Sequence, residues 1–148
     1  MNDFLERIRI IKFEFADKKM ADISFTIRYK VFVEEQHVDP ELEYDEFEDT
    51  SNHYLLYYEG KPVATSRWRE TDKGIKLERF AMLKEYRNKG IGSELLKEVM
   101  KNVIPLKKRI YLHSQLNALS YYERFGFVTK GDIFIEADIE HYLMEYEG

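Results

Sequence analysis

The bend Arg87-Asn88-Lys89-Gly90-Ile91-Gly92 constrains this chain more than any other segment. It joins a strand-like run, Ile75 to Leu83, to a strongly amphipathic stretch opening near Ile91. Two glycines in three residues allow left-handed backbone and close approach of another group. A helix starting there leaves its first amide N–H groups without acceptors inside the helix. The helix macrodipole adds roughly half a positive charge at the same end, so the bend suits an anion such as a phosphate. It is neither of the two familiar nucleotide loops. No Lys-Ser/Thr follows the second glycine, and no third glycine completes Gly-x-Gly-x-x-Gly.

Periodicity organises the rest. From Ile91 the apolar positions Leu95, Leu96, Val99, Met100 and Val103 recur at helical spacing until Pro105, where a helix must have ended. Ile8 to Phe15 alternates as a strand, and Met20 to Val33 spaces Ile23, Ile27, Tyr29 and Val31 for a helix. Asn52 to Tyr58, Val63 to Arg69 and a run from Ile75, separated by Glu59-Gly60-Lys61-Pro62 and Thr71-Asp72-Lys73-Gly74, read as an antiparallel meander. Arg109 to His113 reads as a strand, and Asn117 to Phe125 as a short helix closed by Gly126. Phe127 to Thr129 and Glu140 to Tyr146 read as two last strands. This pattern alone supports an α/β or α+β domain. At 148 residues and 44% hydrophobic content, a single domain over residues 1–148 is expected.

Composition excludes several classes. Without cysteine there is no disulfide scaffold, no thiolate zinc site and no acyl-cysteine intermediate. Asp3, Glu6 and Arg7 interrupt any signal-peptide core, and the longest apolar run, Tyr54 to Tyr58, is too short for a bilayer, so a cytoplasmic protein is expected. A net charge of −5 argues against nucleic-acid binding. Lys84, Arg87 and Lys89 nevertheless flank the glycine bend, while Glu41 to Asp49 is densely acidic. That division suits an anionic cofactor with a cationic amine, or else two solvated surfaces.

The spacing Arg/Gln-x-x-Gly-x-Gly/Ala between strand and helix resembles the acetyl-CoA pyrophosphate loop of the GNAT N-acetyltransferase superfamily, with Arg87, Gly90 and Gly92 at its defining positions. Ile27 to Gln36, Leu77-Glu78-Arg79-Phe80-Ala81-Met82, His113-Ser114-Gln115, Tyr122-Glu123-Arg124-Phe125-Gly126-Phe127 and Phe134-x-Glu136-Ala137-x-Ile139-x-His141 extend the likeness. They are similar to the ElaA/YjcF-like branch. The resemblance implies a central mixed, mostly antiparallel sheet flanked by helices, acetyl-CoA as co-substrate and no metal. Its acceptor is a small-molecule or peptide amine.

Residue by residue, it implies that Arg87, Asn88, Lys89, Gly90, Ile91, Gly92 and Ser93 enclose the pyrophosphate. Phe80, Ala81 and Met82 offer backbone groups to the pantetheine arm as an added strand would. Asn117 touches that arm, or caps a helix. Tyr122 carries the general-acid role. Attack of an amine on a thioester also needs a base, since an ammonium titrates around 10. Glu78, on the strand entering the bend, is the first candidate, acting directly or through a water chain; a salt bridge to Arg79 is the competing reading. His113 and His141 compete as imidazoles near pKa 6.5. Glu34, Glu35, Gln36, Gln115, Glu136 and His141 would line the acceptor pocket. An exposed aromatic edge at Tyr142 or Tyr146 would suit a homodimer.

Two other functions keep the same cleft or dispense with it: a CoA-binding sensor without efficient turnover, and a structural domain whose glycines only cap a turn. Replacement of Gly90 by valine is expected to abolish acetyl-CoA binding in calorimetry with only a modest loss of fold, because the change falls where backbone must face phosphate. Retained affinity would remove the phosphate-loop assignment.

Overall fold

The computed structural model describes residues 3–148. A seven-stranded sheet in the order β1-β2-β3-β4-β5-β7-β6 forms its centre. The strands are β1 (Ile8–Phe13), β2 (Asn52–Tyr58), β3 (Lys61–Thr71), β4 (Gly74–Met82), β5 (Ile110–Gln115), β6 (Phe127–Glu136) and β7 (Ile139–Tyr146). All neighbours are antiparallel except β4 and β5. The helices are α1 (Asp3–Glu6), α2 (Lys18–Arg28), α3 (Pro40–Glu43), α4 (Ile91–Val103) and α5 (Leu119–Glu123).

The expected meander and the helix from Ile91 are present. Three boundaries differ. The helix expected over Met20 to Val33 is α2 followed by a wider π-helical segment, Tyr29–Glu35. The helix expected from Asn117 begins as a 3₁₀ turn, Leu116–Ala118, and becomes α only at Leu119. The short strand expected at Phe127 to Thr129 runs on to Glu136, because the reversal falls at Ala137 and Asp138, both with positive φ.

Two apolar clusters hold helices to opposite faces of the sheet. Leu95, Leu96, Val99 and Val103 of α4 pack with Leu56, Ile75, Leu77, Leu112 and Met144. Ala21 and Ile27 of α2, with Val31, pack with Phe13, Leu55 and Ala81. Each fully buried aliphatic side chain contributes about 1.5–3 kcal/mol of transfer free energy, so these clusters fix both helices. β7 lies between β5 and β6, and Tyr146 packs on Phe127 at 5.5 Å. Tyr142 and Tyr146 are therefore half-buried side chains of an internal strand, not the exposed edge expected from sequence. Among the described residues no helix is long and apolar enough to cross a membrane.

The parallel pairing of β4 with β5 covers only Ile75 with Ile110, Lys76 with Tyr111 and Leu77 with Leu112. Immediately beyond, the β3–β4 register slips between Thr65 and Arg67, and Arg79 adopts a φ of 58°. This β-bulge places an extra residue in β4 and bends the strand, so that β4 and β5 part.

Behind the bulge lies a buried ion network. Arg67 has no exposed surface and binds Asp45, Glu48 and Glu78 at 2.6, 2.9 and 2.9 Å. Arg28, 1% exposed, binds Glu43 at 2.6 Å and Glu48 at 2.8 Å. Asp45 and Glu48 enter the fold because two arginines await them, so Glu43, Asp45 and Glu48 form no free amine pocket, while Glu41, Glu46 and Asp49 stay exposed. Burial by itself would raise the Asp45 carboxyl, but hydrogen bonds and charge from Arg67 outweigh it and hold Asp45 at about 2. Burial opposes ionisation of Glu48 too, and Arg28 overcomes it and lowers that carboxyl.

Arg67→Met is expected to destabilise the fold by about 3–5 kcal/mol in urea denaturation near neutral pH, since three carboxylates lose a buried counter-charge. Carboxyls lowered on folding contribute stability that is full above their unfolded values, near 4, and is lost as pH falls toward about 2. Acid unfolding followed by circular dichroism is expected to show that loss in the parent and a flatter dependence in Arg67→Met.

Candidate active site

Where β4 and β5 part, a cleft of ≈ 570 Å³ opens between Glu78–Met82 and His113–Gln115. Val31 and Phe32 of the π-helical segment and Tyr122 of α5 complete its walls. Beyond the bulge Ala81 and Met82 pair with β3 along one edge only, leaving the cleft-facing edge of β4 without a strand partner. One of its groups is taken: the Met82 carbonyl accepts from Arg87 Nε at 2.9 Å.

At one end of the cleft stands the glycine bend. Asn88 and Gly90 have φ of 62° and 81°, and Gly90 is the residue before α4. Among the described residues the backbone amides of Asn88 to Ser93 donate to no other group. Converging unpaired amides at a helix N-terminus are what an anion requires. The two glycines serve different needs. A Cβ on Gly90 would meet only Phe4, at 3.7 Å, so the left-handed backbone is what demands glycine there. A Cβ on Gly92 would touch Met82 and Tyr121, both at 3.4 Å, and Tyr121 donates its hydroxyl to the Gly92 carbonyl at 2.6 Å. Ile91 is buried and anchors the turn, whereas Asn88 and Lys89 are exposed. The Arg87 guanidinium turns to Glu35, with contacts of 2.9 and 2.8 Å. Glu35, expected in the acceptor pocket, thus belongs to the bend, and Glu34 lies on the surface away from the cleft.

Tyr122 is 8% exposed, and its ring is held edge-on by Phe80 and Phe127, each at 5.9 Å. Its hydroxyl has no partner among the described residues, and burial raises its pKa, so the proton stays on oxygen across the neutral range. Glu78 differs from the sequence expectation. Its partners are Arg67, Arg69 and Lys76, whereas Arg79 turns to Glu43 and Asp45. Burial opposes its ionisation, but the Arg69 hydrogen bond and the charges of Arg67, Lys76 and Arg69 prevail and hold it at about 2. A carboxylate ringed by three cations is a weak proton acceptor.

The histidines form a chain with Glu136. His113 Nδ1 lies 3.0 Å from Glu136 Oε1, and His141 Nε2 lies 3.8 Å from Glu136 Oε2. Phe134 packs edge-on to His113 and parallel to His141. A carboxylate only accepts, so His113 Nδ1 donates, leaving the neutral ring's lone pair on Nε2. The hydrogen bond from His113 lowers the Glu136 carboxyl, keeping it ionised. His141 is buried and donates Nδ1 to the Ile139 carbonyl at 2.7 Å, so its basic nitrogen faces Glu136.

Gln115 donates to Gln36 at 2.8 Å and closes the cleft between β5 and the π-helical segment. Asn117 lines the cleft within the 3₁₀ turn. Its side chain makes no hydrogen bond and caps no helix. Arg28, Arg67 and Arg69 escaped the sequence reading. The available signal was a charged residue inside a strand run, as Arg67 stands between Ser66 and Trp68 in Val63 to Arg69.

An acetyltransferase (GNAT) domain model matches residues 14–148. The N-acetyltransferase YjcF of Bacillus subtilis, uncharacterised, is 37% identical over 123 residues, covering 82% of this chain and 88% of that protein. The crystal structure of Escherichia coli ElaA superposes with a TM-score of 0.85 at 22% identity, over 95% of this chain and 99% of that one. A GNAT acetyltransferase from Elizabethkingia anophelis, solved with acetyl-CoA bound, gives 0.67 at 19% identity over 94% and 95% of the two chains. A domain match over most of the chain and a YjcF relative above one-third identity establish the family: the chain is an N-acetyltransferase of the GNAT superfamily, in its ElaA/YjcF-like branch, a class whose co-substrate is acetyl-CoA.

Proposed function

We propose that this chain moves an acetyl group directly from acetyl-CoA to an amine, with both held in the β4–β5 cleft and no covalent enzyme intermediate. One observation carries the reading: the free edge of β4, Tyr122, His113 and Arg87 border one opening, and Arg87 leads straight into the unpaired amides of Asn88–Ser93. The bend receives the pyrophosphate on its amides, and Phe80, Ala81 and Met82 align the pantetheine arm along β4. Asn117, whose side chain is unengaged, is available to that arm. Acetyl-CoA supplies the thioester, and the chain supplies binding and proton transfer.

His113 serves as the base. Its Nε2 takes a proton from the acceptor ammonium, directly or through water, and Glu136 holds the ring in the required tautomer. The freed nitrogen lone pair forms the new C–N bond as the C–S bond breaks. Tyr122 gives its proton to the departing sulfur and regains one, directly or through water, from the new amide nitrogen, which must shed its second proton. Glu78 is reassigned from base to anchor, because ionic contacts to three cations fasten the bulged strand that carries the cleft edge. His141 backs Glu136 from within the sheet. Gln36 and Gln115 border the acceptor side.

Tyr122→Phe is expected to lower kcat by about 10²-fold or more with little change in KM and an unaltered fold. Unchanged turnover would remove the acid role. For His113→Gln, thiol release across pH is the decisive measurement. In the variant kcat/KM is expected to fall about 10²-fold or more at every pH; unchanged turnover would return the base to a water chain.

A further inference from the structure

The cleft has an annex on the uncovered face of β4, β5 and β7. A second depression of ≈ 360 Å³ shares Arg69, Lys76 and His113 with the cleft and adds Lys73, Arg109 and the floor residues Tyr111 and Leu143. Its four basic side chains face one lining carboxylate, Asp72. Glu78 stands behind them and is divided between Arg69 and Lys76, besides its contact with Arg67, which Asp45 and Glu48 also neutralise. Arg109 is engaged by Glu145. Lys73 Nζ and one terminal nitrogen of Arg69 have no partner among the described residues. Arg69 is 15% exposed and is fixed by stacking on Phe47 at 3.8 Å, which preorganises its free donor.

Position gives this surplus charge a use. Lys76 pairs in register with Tyr111, and His113 lies two residues, about 7 Å of strand, beyond Tyr111 on β5. Between them Tyr111 and Leu143 provide a mostly apolar floor, with the Tyr111 hydroxyl tied to Thr71 at 2.7 Å. The geometry points to an acceptor that is a short aliphatic amine bearing an acidic group, carboxylate or phosphate, about four bonds from its nitrogen. This rests on the transfer reading above and fixes its substrate class: the acid sits among Arg69, Lys73 and Lys76 while the amine meets His113. The acidic segment offers the cleft no free carboxylate for a cationic amine, since Glu43, Asp45 and Glu48 are already bound by arginines and the exposed Glu41, Glu46 and Asp49 do not line it.

Thiol release from acetyl-CoA should be compared for 4-aminobutyrate against butylamine, for O-phosphoethanolamine against ethanolamine, and for spermidine. At least one acid-bearing amine is expected to exceed its neutral twin about tenfold or more in kcat/KM, and the pair that does so tells carboxylate from phosphate. Lys73→Glu is expected to cut that ratio about tenfold. Equal or better use of butylamine, ethanolamine or spermidine would overturn the inference and leave acetyl transfer standing. Calorimetry with 4-acetamidobutyrate and with inorganic phosphate reads the site without turnover. Saturable binding of either, weakened by Lys73→Glu, in a protein that acetylates no amine would sink the transfer reading and keep the anion site. No acid preference in turnover and no binding of either probe would overturn the site.

Discussion

The separation of β4 from β5 is the constraint on which the rest of this structure depends. Three parallel pairs, ending at Leu77 and Leu112, hold the two halves of the sheet together. The bulge at Arg79 then turns β4 away. An unpaired strand edge inside a fold is costly unless another partner satisfies its amides and carbonyls, and an amide-rich ligand arm is such a partner. The same separation aligns the glycine bend, at the far end of β4, with Tyr122 and His113 across the gap.

What keeps the bulge in place is charge rather than apolar packing. Arg67, wholly buried, reaches Glu78 beside the bulge and Asp45 and Glu48 on the loop that covers it. Arg79, the strained residue itself, is tied to Glu43 and Asp45. Burying an arginine without a counter-ion is prohibitive, and these carboxylates answer it with ion pairs at 2.6 to 2.9 Å. The network therefore fixes a loop, a strained backbone position and a cleft wall together. It also takes up Glu43, Asp45 and Glu48 from the acidic run between Glu41 and Asp49.

Environment assigns the chemistry among similar groups. Glu78 and Glu136 both border the cleft, yet Glu78 is neutralised by cations while Glu136 accepts from a histidine. His113 and His141 share that carboxylate, but His141 spends its second nitrogen on the Ile139 carbonyl, whereas that of His113 has no partner among the described residues. Tyr121 and Tyr122 are adjacent, but Tyr121 spends its hydroxyl on the Gly92 carbonyl and Tyr122 keeps its own free.

The sequence by itself determined the elements whose cause is local: the meander from its turn residues, α4 from its apolar spacing up to Pro105, and the bend from Gly90 and Gly92. Those features follow from backbone sterics and side-chain periodicity within a dozen residues, so one stretch of chain contains the whole reason for each. The partners of Glu78, the fate of the acidic segment and the link from His113 through Glu136 to His141 were decided only by tertiary structure. Charge pairing depends on distance in space, and the strand order brings Arg28, Asp45 and Arg67 together from separate elements. A carboxylate's proton affinity follows from those neighbours, which no reading along the chain contains.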